Sequence, residues 1–214
     1  MIDMNEMMSG LSGLRPVFHS EADFQHALAW EIHKKYPDCS MRLEIKPPYL
    51  RKRIYLDIWC VRGDTIIAIE LKYKTRGFVA NVNGEVFGLL DQSAQDVGRY
   101  DFVKDIQRLE KIVSEGSNIM GYAIFLTNDS AYWTPSRSNQ TVDAGFRIHE
   151  GRILTGDLGW SLGASEGTMR GREGRLRVKD AYNMNWKDYS EISKKSYGRF
   201  RYLLIEVERG HVIK

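Results

Sequence analysis

Apolar residues recur along the chain with two different periods, and the changes from one to the other divide it into elements. Phe24, Leu28 and Ile32 stand four apart behind Ser20-Glu21-Ala22-Asp23, a capping-box sequence, and Pro37 follows. A helix is therefore predicted over about residues 20–36. Leu43 and Ile45 then alternate with Arg42, Glu44 and Lys46 as far as Pro47-Pro48, the period of a strand over 41–46. Beyond a basic Arg51-Lys52-Arg53 loop, residues 54–62 and 65–74 are rich in β-branched and aromatic side chains. Only Gly63-Asp64 separates them, so they read as a hairpin. Residues 77–90, with Asn81, Asn83, Gly84 and Gly88, read as a loop or a short second hairpin. Ala94, Gly98, Phe102, Ile106, Leu109 and Val113 return to helical spacing, with Asp91 as candidate cap and an end near Glu115. A buried strand over Ile119–Thr127 follows. Helix, three strands, helix and strand make an α/β arrangement with a mixed sheet.

Past residue 130 the pattern loosens. Phe146 to Leu154 suggests a hairpin across Glu150-Gly151, and Arg201 to Val207 a final strand. Between them Gly159, Gly163, Gly167 and Gly171 recur every fourth residue among charged neighbours, which predicts a mobile polar loop. There is no internal repeat and no linker, so residues 1–214 are read as one domain.

Composition adds mainly exclusions. The 214 residues carry a net charge of +3, with 43% hydrophobic and 28% charged residues, which excludes a disordered or collagen-like chain. Apolar runs such as Ile66–Ile69 and Tyr122–Leu126 are far shorter than the roughly 20 residues of a membrane helix. The start Met-Ile-Asp-Met-Asn-Glu is acidic where a signal peptide is basic, so the expected location is cytoplasmic, away from membranes. Cys39 and Cys60 have neither CxxC spacing nor clustered histidines, and are expected in the core.

The hairpin carries the candidate chemistry. A two-residue turn pairs Arg62 with Thr65, and the same register brings Asp57 opposite Glu70. Tyr55, Trp59, Ala68 and Lys72 are expected on their face, and Ile54, Leu56, Ile58, Cys60, Ile67, Ile69, Leu71 and Tyr73 on the other. Facing carboxylates repel unless something positive lies between them. A hard divalent cation such as Mg²⁺, with Mn²⁺ as substitute, takes one or two carboxylates together with substrate phosphate. Lys72 points to the same spot, suited to stabilising a phosphoryl oxygen or helping to deprotonate the attacking water.

Tyr-Leu-Asp57-Ile-Trp with Glu70-Leu-Lys72, twelve residues lying between Asp57 and Glu70, resembles the motif of the PD-(D/E)XK nuclease superfamily. The resemblance covers about residues 18–127. It implies a restriction-endonuclease-like αβββαβ core, its mixed central sheet flanked by helices, with 128–214 as a β-rich C-terminal extension. It also implies Mg²⁺-dependent hydrolysis of phosphodiesters by Asp57, Glu70 and Lys72, most naturally in DNA, with a homodimer if both strands are cut. Members of the superfamily that add a glutamate from the first helix point to Glu21 as a further metal ligand, with Glu31 as competitor. The proline of the motif is absent, Leu56 standing before Asp57. Gln95 and Tyr100 have four residues between them, unlike the Gln-x-x-x-Tyr of RecB-type members.

Other readings of these residues stand beside that one. Glu21 also suits the positive end of a helix dipole. Gln95 and Tyr55 are possible neighbours of the site, while Lys104, Arg108 and Lys111 read as a solvated basic stripe. His26 and His33 read as packing or surface residues. Arg170, Arg172, Arg175, Arg177 and Lys179 face a single acid, Glu173, in a glycine-rich setting suited to a nucleic-acid backbone. The alternative functions are a catalytically silent nucleic-acid-binding module of the same fold and, more distantly, a serine hydrolase. The latter would use Ser165 of a literal GxSxG with Asp180 or Asp188 and His211, but a buried strand before the serine is missing from the pattern.

Overall fold

The computed structural model describes residues 2–47, 55–138 and 140–209. The basic stretch Arg51-Lys52-Arg53, Ile54 and His211 lie outside them. Four α-helices and ten strands are formed among the described residues. The chain opens with α1 (Met4–Leu14), a helix absent from the periodicity reading. Its buried residues Met4, Met7, Met8 and Leu11 have helical spacing, but Ser9, Gly10, Ser12 and Gly13 dilute the pattern. Helix α2 (Glu21–Lys35) begins as predicted, the Ser20 hydroxyl accepting the Asp23 N–H at 3.1 Å. Strands β1 (Ser40–Ile45), β2 (Leu56–Arg62) and β3 (Thr65–Lys74) follow. Residues 77–90 form a second hairpin, β4 (Phe78–Val82) and β5 (Glu85–Leu89), turning through left-handed Asn83 and Gly84.

Helix α3 (Gln95–Ser114) starts without a side-chain cap. Asp91, the expected cap, pairs instead with Arg76 at 3.1 Å. Strand β6 (Ile119–Thr127) lies parallel to β3. The stretch 146–154 is not a hairpin. Phe146 closes a 3₁₀ turn, Gly151 turns the chain, and β7 (Ile153–Leu158) pairs with β8 (Leu176–Asn183). That pairing brackets the predicted polar loop over 159–171, in which the short α4 (Glu166–Met169) is the regular element formed. The chain closes through β9 (Trp186–Glu191) and β10 (Arg199–Val207).

The central sheet is mixed, six strands in the order β1-β2-β3-β6-β10-β9. Strand β10, predicted over 201–207 within the C-terminal extension, and β9 complete it beside β6. One face packs on α1 and α2 through Phe24, Leu28, Ile58, Cys60, Ile67, Ile69 and Leu71. The other packs on α3 and the β7–β8 hairpin through Trp59, Ala68, Phe102, Ile106, Phe125 and Leu203. Both cysteines are buried and free. No described helix is long and apolar enough to cross a membrane.

Candidate active site

The β2–β3 register follows the two-residue turn from Arg62↔Thr65 to Ile58↔Ile69 and ends there, one pair short of Asp57 and Glu70. On the other side of β2, pairing with β1 steps from Leu43↔Ile58 to Ile45↔Leu56, with Glu44 at φ 51° between them. Asp57 therefore sits where β2 loses its regular pleat. The buried amide of Gln25 on α2 holds this irregularity, donating to the Asp57 carbonyl at 2.7 Å and to the Glu44 carboxylate at 2.8 Å. The alternation slips here, so Leu56 joins the α3-side core instead of the face of Ile58. Tyr55, expected beside Trp59, lies before β2 and is 54% exposed.

Strand β3 runs on past the end of its pairing with β2, and carboxylates take the N–H groups there. Asp57 accepts from Leu71 at 2.5 Å and Glu21 from Tyr73 at 2.7 Å. Glu21 holds the first position of α2, so its bond to β3 and its favourable place on the helix dipole coexist. Glu31 does not come to this site. It pairs with Lys34 at 2.5 Å and lines a cleft between α1 and α2.

Glu70 and Lys72 project toward α3, as the register requires. Lys72 Nζ meets Asp105 Oδ2 at 2.7 Å, Arg108 donates to Glu70, and Arg108 reaches Asp105 Oδ1 at 3.1 Å. Glu70 and Asp105 are 2% and 3% exposed. Four carboxylates, Glu21, Asp57, Glu70 and Asp105, thus share the neighbourhood of two cations, Lys72 and Arg108. Burial is the main cause that pushes Asp57 up to about 6; the Leu71 N–H and Lys72 pull it down, while Glu21 and Asp105 add to the rise. Burial and the Asp105 charge hold Glu70 well above the usual carboxylate range against the pull of Arg108. For Lys72 burial works against the charge, but Asp105, Glu21 and Asp57 outweigh it and raise the ammonium above its ordinary value. The ammonium form of Lys72 is thus favoured despite its burial.

No group of three His, Cys, Asp or Glu side chains among the described residues is close enough to hold a metal ion. Glu21 and Asp57 turn to the β3 backbone and Glu70 to Arg108, so the predicted three-carboxylate cage is not formed. Asp105, Arg108 and Gln25 are the site residues that periodicity missed. For Asp105 a signal exists: it stands among Phe102, Ile106 and Leu109, an acid inside the apolar stripe of α3. Arg108, read as part of a solvated stripe, is instead an ion-pair partner of the site, while Lys104 and Lys111 are exposed.

The remaining candidates lie elsewhere. Gln95 donates to Asp129 at 2.8 Å. In the basic segment, Arg172 forms a two-pronged pair with Asp101 at 2.8 Å and Arg175 meets Asp157 at 3.0 Å, leaving Arg170, Arg177 and Lys179 exposed. His26 and His33 are exposed on α2. Ser165 caps α4 through the Thr168 N–H, and Asp188 pairs with Arg199 and Arg201. Comparison with protein-family models, curated proteins and solved structures finds no match to the chain.

Proposed function

We propose that the chain is a metal-dependent nuclease of the PD-(D/E)XK type that hydrolyses phosphodiester bonds in DNA. The observation that carries this reading is the excess of carboxylates over cations where Asp57, Glu70 and Lys72 meet Glu21 and Asp105. The order α2, β1, β2, β3, α3, β6, interrupted by the β4–β5 hairpin before α3 and with β3 and β6 parallel, supports it, since apart from that hairpin it is the order expected of a restriction-endonuclease-like core. The donor set suits a hard divalent cation held by two carboxylates, for which Asp57 and Glu70 are the candidates. Mg²⁺ or Mn²⁺, when bound, supplies Lewis acidity and a water of lowered pKa. Glu21 orients the edge of β3 beside Asp57, and Asp105 fixes Lys72. The Lys72 ammonium is suited to stabilise a phosphoryl oxygen as negative charge grows on it. Arg108 neutralises Glu70 in the metal-free chain.

A DNA and RNA panel incubated with Mg²⁺ or Mn²⁺, and with a chelator as control, tests the reading. Wild type is expected to cut DNA only with metal. Asp57→Ala and Glu70→Ala should abolish cutting, and Lys72→Ala should lower it by about 10²–10³-fold, the usual cost of removing one fixed electrostatic group. The ion pairs Glu70–Arg108 and Lys72–Asp105, which already satisfy part of the site, favour a second reading as a silent binding module. Salt-sensitive DNA binding without cleavage under any metal would establish that one.

A further inference from the structure

The chain leaving β6 folds over the amino-terminal half of α3, where it gathers positive charge that the Asp57 site does not use. Arg99, buried on α3, donates to Asp143 at 2.5 Å and to the Ala131 carbonyl at 2.6 Å. Asp143 also takes Arg147 at 3.2 Å, so one carboxylate serves two guanidinium groups. Arg147 donates to the Thr141 hydroxyl at 3.0 Å. Arg152 donates to the carbonyls of Ala144 and Gly145 at 2.7 and 2.8 Å and has no carboxylate partner among the described residues. Three arginines against one acid leave a formal excess of two positive charges.

These groups border a cleft of about 340 Å³, lined by Ser136, Ser138, Thr141, Arg147, His149 and Arg152. The Nε of Arg147 and Nδ1 of His149 are buried without a hydrogen-bond partner among the described residues. Burial first, then the neighbouring arginines, holds Arg147, His149 and Arg152 below their ordinary pKa values, as expected where positive charge lacks a counterion. Guanidinium groups and hydroxyls around one concavity suit a tetrahedral oxyanion with several acceptor oxygens.

We propose that this cleft is a binding site for a phosphate monoester group. It is separate from the carboxylate cluster, since Arg99 and Arg108 stand about 14 Å apart along α3 at 1.5 Å per residue. The proposal is independent of the nuclease reading. The phosphate belongs either to a small phosphate ester or to the 5′ end of a nucleic acid.

Calorimetric titration of the metal-free chain with inorganic phosphate tests it. Wild type is expected to bind saturably, and Arg147→Gln to bind at least tenfold more weakly. Arg147 also braces Thr141 and Asp143, so Ser138→Asp is the decisive second variant. An aspartate there still accepts the Gln140 N–H that Ser138 now accepts at 3.2 Å, while adding negative charge to the wall. It too should lose at least tenfold. No saturable binding by wild type, or a folded Ser138→Asp chain binding within twofold of wild type, overturns the proposal. Displacement of phosphate by a 5′-phosphorylated oligonucleotide but not its 5′-hydroxyl form assigns the site to a nucleic-acid end. Displacement by neither assigns it to a small phosphate ester, and equal displacement by both overturns the monoester assignment.

Discussion

Asp57 combines burial with proximity to like charge, and a measurable pH dependence follows. Its carboxyl is pushed up to about 6 from an ordinary value of 3.8, burial being the main cause. The folded chain therefore holds this proton more tightly than the unfolded chain. The stability this contributes is fully present below about pH 4 and is lost as pH rises through about 6. The size of the effect is roughly 3 kcal/mol. Asp57→Asn keeps an acceptor for the Leu71 N–H and removes the titration. In chelator-treated melts, the variant's Tm is expected to gain on wild type between pH 4 and pH 7, with little difference at the acid end. A Tm difference constant across that range would mean that Asp57 carries its charge without penalty.

At the scale of elements, α3 does two jobs: its apolar stripe covers the sheet, and Asp105 within that stripe and Arg108 beside it reach to β3. Its amino-terminal half is seated by a close approach. A Cβ at Gly98 would fall well inside van der Waals distance of the Tyr132 hydroxyl, which is itself buried without a partner among the described residues. Tyr132→Phe should therefore leave stability unchanged or raise it by up to about 1 kcal/mol, since it removes an unsatisfied hydroxyl. Gly98→Ala should cost about 1–3 kcal/mol by overpacking against that rigid ring. The double variant should regain most of the loss, helped by the better helix propensity of alanine. Thermal melts of the three variants check this; a Gly98→Ala loss unchanged by Tyr132→Phe would show that the clash lies elsewhere.

Over the whole molecule, the net charge of +3 is too small to drive nucleic-acid binding by itself, so any interface must be local. The basic segment 170–179 is divided in role by its ion pairs. Arg172, tied to Asp101 on α3, and Arg175, tied to Asp157 on β7, hold the β7–β8 layer together. Arg170, Arg177 and Lys179 remain exposed for phosphates. Replacing those three by glutamine should reduce the salt dependence of DNA binding, by at most about 0.9 in log–log slope for each phosphate that is no longer neutralised. Arg172→Gln should act chiefly on Tm. A triple variant with the wild-type slope would remove this segment from the DNA interface.

Elements whose information is local could be read from the chain alone. Ser20 and the Phe24–Leu28–Ile32 spacing specify α2, and Gly63-Asp64 sets the β2–β3 register that places Glu70 and Lys72 on the face toward α3. Those two side chains were legible because strand alternation follows from backbone geometry. The register failed at Asp57 because Gln25, thirty-two residues away, bonds its carbonyl and draws it from the ladder. Long-range packing also brought Arg108 and Asp105, from a helix beyond the hairpin, to neutralise Glu70 and Lys72. The same packing made β9 and β10 extend the sheet, and it tied two arginines of the basic segment to Asp101 and Asp157. Periodicity records which face of an element is buried. It does not record which charged groups from distant elements meet in that burial, and their low-dielectric proximity shifts the proton affinities of Asp57, Glu70 and Lys72.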